Sequence, residues 1–112
     1  MSNIWKILIP VLFFSPFLNA AEYKINIPSD SKAEYVVLNK GNLGDLKTIV
    51  TKRSGSSGIS YSERAYDCNH RTVKYLGSGE TLEQMKASSE DKNMSDIFSG
   101  SIADFVGQEA CK

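Results

Sequence analysis

The sequence predicts an α+β domain: a small antiparallel β-sheet with a C-terminal helix clipped to it by one disulfide. Three observations predict it. Between residues 34 and 76, short β-branched or alternating segments are separated by Gly-, Asn- and Ser-rich breaks, as in an antiparallel meander. Near the C-terminus, Ile102, Phe105, Val106 and Ala110 recur at i, i+3, i+4 and i+8, an apolar stripe at helical spacing. Cys68 and Cys111 are the only cysteines and lie behind an N-terminal secretion signal. In an oxidising compartment, two lone thiols in a small domain form one bridge.

The signal occupies residues 1–20. Lys6 closes a short charged region, residues 7–18 are apolar apart from Ser15, and Asn19-Ala20-Ala21 supplies small residues for cleavage after Ala20, with Ala21 as the alternative. The apolar run is about 12 residues, short of the roughly 20 that a spanning helix needs, so no stable membrane span is expected after cleavage. Residues 21–112 then form a single small exported domain, periplasmic or secreted. Of the 13 Lys and Arg in the chain, Lys6 leaves with the signal, so 12 face 13 Asp and Glu. A near-neutral domain has no basic field for nucleic acid. Closing the long loop between the cysteines stabilises the fold by about 4 kcal/mol in the chain-entropy estimate.

The mature chain opens with alternating Tyr23, Ile25 and Ile27, read as a short first strand or a flexible leader. Residues 34–38 form a short strand, and Asn39-Lys40-Gly41-Asn42 is a turn signal. Residues 46–52 are the next strand, with Leu46, Thr48, Val50 and Lys52 on one face and Lys47, Ile49 and Thr51 on the other. Residues 54–58, Ser-Gly-Ser-Ser-Gly, make a flexible loop.

A strand over residues 59–67 puts Ile59, Tyr61, Glu63, Ala65 and Asp67 on one face and Ser60, Ser62, Arg64 and Tyr66 on the other. The alternation leaves the buried face open; Cys68 suggests that Tyr66 and Cys68 point inward. Cys68-Asn69-His70 is read as a tight reversal, with asparagine tolerating left-handed geometry. Residues 71–76 return as a strand that Gly77-Ser78-Gly79 ends. Residues 81–87 suit a short helix or another strand, and residues 88–93 a polar loop. Ser101 is placed as the N-cap of the final helix, with Asp104 at the capping-box position. Gly107 weakens this helix by up to about 1 kcal/mol relative to alanine.

Chemistry-bearing motifs are sparse. His70, the one histidine, sits in the predicted turn, and a bridged cysteine is no nucleophile. Cys68 and His70 fall short of the three or four ligands that zinc needs. Gly77-Ser78-Gly79 lacks the lysine of a phosphate loop. Nothing in the spacing selects Glu63, Asp67 and Glu80 as paired acids. The expectation is therefore a non-enzymatic protein with no catalytic residue, no cofactor and no metal ligand. Lys47, Lys52 and Arg53 lie near one hairpin and Arg64, Arg71 and Lys74 in the next; the last three are the candidate binding surface.

The C-terminal half resembles the surface-adhesin protein E family of Gram-negative bacteria. The likeness rests on Glu63-Arg64-Ala65-Tyr66-Asp67-Cys68, the basic return strand Arg71-Thr72-Val73-Lys74-Tyr75, Gly77-Ser78-Gly79, and Ile97-Phe98-Ser99-Gly100-Ser101 before a short helix closing on Cys111. It covers residues 59–112. The resemblance implies an antiparallel sheet with a helix clipped to it by the Cys68–Cys111 bridge. It also implies an adhesin-like protein partner from the host or the envelope; homo-oligomer formation is left open. Two features depart from the family: the mature chain has no tryptophan, and no cysteine stands at the cleavage site for a lipid anchor. A second, smaller resemblance is to periplasmic C-type lysozyme inhibitors. Ser57-Gly58-Ile59-Ser60-Tyr61 fits their Ser-Gly-x-x-Tyr motif, which implies an alternative role as inhibitor of a cell-wall hydrolase, with Ser57 and Tyr61 entering its cleft.

Overall fold

The computed structural model describes residues 22–112; the expected leader and its cleavage site lie outside them. The chain forms β1 (Tyr23–Ile25), a 3-10 turn (Pro28–Asp30), β2 (Glu34–Leu43), β3 (Leu46–Gly55), β4 (Gly58–Asp67), β5 (Thr72–Gly79), α1 (Leu82–Ala87), β6 (Ser95–Asp96) and α2 (Ile102–Ala110). The six strands make one sheet in sequence order, each pairing antiparallel with the next. This is the expected α+β meander with a C-terminal helix, and Cys68 and Cys111 are bridged, their Cα atoms 5.9 Å apart.

The strands run further than the sequence breaks suggest. The expected turn at residues 39–42 is instead strand: after a bulge between Val37 and Asn39, Asn39 to Leu43 stay paired with β3. The reversal comes at Gly44-Asp45, where Gly44 has φ 60°, the left-handed residue that a two-residue hairpin requires. The flexible loop expected at residues 54–58 shrinks to Ser56 and Ser57, because Gly55 already pairs with Gly58. Nor does Gly77-Ser78-Gly79 end its strand; all three residues pair with β4. Their small size serves a packing role, since a Cβ on Gly77 would run into the Met85 carbonyl oxygen of α1.

The sheet is covered on both sides. On one side, buried Tyr35, Val37, Ile49 and Tyr66 form the core with Ile27 and with Val106 and Ala110 of α2; Ile102 and Phe105 pack at its margin. Opposed residues share a face, so register puts Val50 and Ala65 on the other side, that of α1 and its buried Met85. Thr81 caps α1, its hydroxyl accepting from Gln84 N at 3.1 Å, which decides between the two expectations for this segment.

Ser101 caps α2 as expected, its Oγ accepting from Asp104 N at 3.1 Å. The Asp104 carboxylate reaches past the N-cap to Gly100 N at 2.8 Å. Gly107 does more than weaken the helix. A Cβ there would lie 2.6 Å from Cε1 of Tyr66, so glycine is what lets α2 settle on the ring. Tyr66 returns the contact by donating from Oη to the Ala103 carbonyl at 2.7 Å. Tyr66 points inward as expected, but Cys68 and Cys111 are both exposed: the bridge clips the helix end from outside the core. At the β4–β5 reversal the left-handed residue is Arg71, φ 52°, rather than asparagine.

Candidate functional site

Beyond the apolar core, the α2 side of the sheet continues as a polar row. Register aligns Tyr35 with Arg53, Thr51 with Ser62 and Arg64 with Tyr75, and alternation keeps them on one face. Two arginines dominate this row.

Arg53 is paired with a carboxylate. Its Nε donates to Asp30 Oδ2 at 2.7 Å and its Nη2 to Oδ1 at 3.3 Å, a two-bond grip on the carboxylate. Asp30, at the end of the 3-10 turn, also accepts from Tyr35 Oη at 2.7 Å. The Arg53 bond, followed by that from Tyr35, holds the Asp30 carboxyl below its ordinary value. Burial, reinforced by the bond to Asp30, pushes the Tyr35 phenol up to about 12. This cluster ties the 3-10 turn to β2 and β3.

Arg64 differs. It is only 6% exposed. Its Nη1 donates to Thr51 Oγ1 at 3.2 Å and its Nη2 to Tyr75 Oη at 3.0 Å. The guanidinium lies over the Tyr75 ring, Cζ 4.8 Å from the centroid. Among the described residues, its Nε is buried without a hydrogen-bond partner. The ion pairs among the described residues engage Lys24, Arg53, His70, Arg71, Lys74 and Lys112, but not Arg64.

Arg64, Arg71 and Lys74 do not share the outer face expected for them. Arg64 is buried on the α2 side. Lys74 pairs in register with Ala65, so it belongs to the opposite face, where its Nζ lies 2.8 Å from Glu90 Oε2. The cause is strand alternation: Tyr75, not Lys74, stands opposite Arg64. Arg71 precedes β5 in the reversal and extends an exposed side chain to Asp104 Oδ1 at 3.4 Å. The Gly100 amide, with help from Gln108 and Arg71, keeps Asp104 below its usual range.

The bridge corner holds the remaining candidates. Asp67 accepts from the backbone N–H groups of Asn69 and His70, each at 3.2 Å, and its Oδ2 lies 2.9 Å from His70 Nδ1. The His70 backbone bond leads in lowering the Asp67 pKa. A cleft of about 140 Å³ beside the bridge is lined by Tyr66, Ile97, Gly107 and both cysteines, with Arg71 among its walls. Ser57 is exposed at the β3–β4 hairpin tip, whereas Tyr61 lies within β4 opposite Gly79, so the two do not form one protruding loop. Among the described residues, no three or more His, Cys, Asp or Glu gather as a metal site, and no helix is long and apolar enough to cross a membrane.

Sequence reasoning missed both the Asp30–Arg53 grip and the Tyr75 cover on Arg64. The first spans 23 residues and leaves no local pattern. The second was readable only once the β4–β5 register, with its bulge between Glu63 and Arg64, was known. Compared with protein-family models, with curated proteins and with solved structures, the chain finds no match in any of the three.

Proposed function

We propose that the mature domain is an exported, non-enzymatic protein-binding module of the surface-adhesin protein E type, working in the periplasm or outside the cell. The observation that carries this reading is the pairing of a half-exposed tyrosine, Tyr75, with a buried arginine on a rigid strand platform. Tyrosine and arginine are among the side chains that most often dominate protein–protein binding energy, and strands hold them with little ordering cost. The bridge supports an oxidising location. It also commits both cysteines, so neither is a nucleophile.

The test is capture by the immobilised, disulfide-bonded protein from envelope extract and from host serum, in parallel with Tyr75→Ala. A protein retained by the parent and lost with Tyr75→Ala is the expected result; equal retention by both would reject this face. A lysozyme turbidity assay separates the inhibitor role, and lysis at an unchanged rate is expected.

A further inference from the structure

The side edge of a guanidinium offers two parallel donors, Nε–H and Nη2–H, spaced to match the two oxygens of a carboxylate. Arg53 uses this fork on Asp30, with one carboxylate oxygen on each nitrogen. Arg64 carries the same fork on the same sheet face, but only one acceptor sits in it. The Tyr75 hydroxyl occupies Nη2 at 3.0 Å, and among the described residues Nε has no partner. An arginine this deeply buried is rarely left without a counter-charge, and a buried cation without one is costly.

We infer that the Arg64 fork is a socket for a carboxylate of the binding partner: an aspartate or glutamate side chain that takes Nε and Nη2 and displaces the Tyr75 hydroxyl. The inference rests on the reading of the domain as a protein-binding module and names the chemistry its partner supplies. Three features fit the exchange. Tyr75 is 40% exposed, so its side chain has room to turn outward. Its backbone stays fixed meanwhile: Tyr75 N donates to Asp91 Oδ2 at 3.1 Å, and its carbonyl accepts from Asp91 N at 2.9 Å. Thr51 remains on Nη1 and holds the guanidinium plane in place. A side-chain carboxylate suits the site better than a chain terminus. Terminal carboxylates are held by nests of free backbone N–H groups, whereas Arg64 lies within the paired β4–β5 ladder.

The test uses the full-length gene product, purified with its bridge intact. The Nε–H signals of Arg53 and Arg64 are followed by NMR during titration with a hexaglutamate peptide blocked at both ends. A hexaglutamine peptide with a free C-terminus and inorganic sulfate serve as the other probes. The expected result is a saturable shift of the Arg64 Nε–H with hexaglutamate alone, weakening as salt rises, while the Arg53 signal stays put. Tyr75→Phe keeps the ring and removes the competing oxygen, so it should tighten binding several-fold. Arg64→Lys has no fork and, with binding followed at the backbone N–H of Tyr75, should weaken it about tenfold or more, with an unchanged Arg53 signal showing that the fold is intact. No shift, an equal response to sulfate, a response only to the free C-terminus, or weaker binding by Tyr75→Phe would each overturn the assignment. A partner captured from extract through Tyr75 but held equally by Arg64→Lys would leave the binding-module reading standing and remove the socket.

Discussion

Arg53 and Arg64 stand on adjacent strands of one sheet face, and their surroundings are opposite. Arg53 closes on a carboxylate from its own chain and thereby anchors the turn before β2. Arg64 is more deeply buried, yet the described residues answer it only with a threonine hydroxyl, a phenol and an aromatic face. An internal ion pair adds order locally. A buried cation without a partner has no comparable gain to offset its desolvation. The difference teaches where the fold is finished and where it is left open: the Asp30 corner is complete, and the Tyr75 corner is one acceptor short.

The largest losses should come from the clamp that seats α2. Replacing both Cys68 and Cys111 by serine should destabilise the domain by about 4 kcal/mol, from a loop of 43 residues. Denaturant unfolding of the oxidised parent and the double variant measures this. A cost under about 1 kcal/mol would mean that packing alone seats the helix.

Next in size is the helix contact itself. Gly107→Ala puts a methyl group against the Tyr66 ring and should cost about 1–3 kcal/mol despite the better helix propensity of alanine. A stabilised variant would show that α2 can ride higher on the sheet. In that case the polar row beside the helix would also lose its fixed spacing.

The smallest effect separates the two arginines by pH. Asp30 has its pKa lowered below the ordinary 3.8, first by Arg53 and then by Tyr35. A depressed carboxyl contributes stability that is complete above its unfolded value and disappears as pH falls through the lower folded one. Thermal midpoints of the parent should therefore drop from about pH 5 downward, and Arg53→Met should flatten this limb. Arg64→Met should leave the limb as it is. An equal change in both variants would mean that a carboxylate also serves Arg64.

The parts of this architecture visible in the sequence are those written locally. Ser101 and the stripe from Ile102 to Ala110 announce α2, and two lone cysteines announce the bridge. The polar run Asn39-Lys40-Gly41-Asn42 was misleading because turn chemistry and an exposed strand end share the same residues; the bulge at Leu38 and the Gly44 turn decide between them. Strand β4 was ambiguous for a physical reason. Both of its faces are covered, by α2 and by α1, so Ala65 and Tyr66 are both fully buried and alternation carries no inside–outside signal. That ambiguity hid Arg64. A basic residue in a strand reads as solvated surface until the register sets Tyr75 beside it.

The most direct test of the central claim, that Arg64 is kept for a partner and not for the fold, is the sign of a stability change. Arg64→Met, combined with Thr51→Val so that the buried Thr51 hydroxyl is not stranded while the exposed Tyr75 turns to water, is compared with Arg53→Met by urea unfolding at neutral pH. Exchanging a buried charge and its hydrogen-bond partner for apolar groups of similar size is neutral or stabilising when the charge is not structural. The account predicts no loss for the Arg64 variant, and a gain of about 1 kcal/mol or more, against a clear loss for Arg53→Met. An Arg64 variant that loses as much stability as Arg53→Met would contradict it, and would make Arg64 an internal brace.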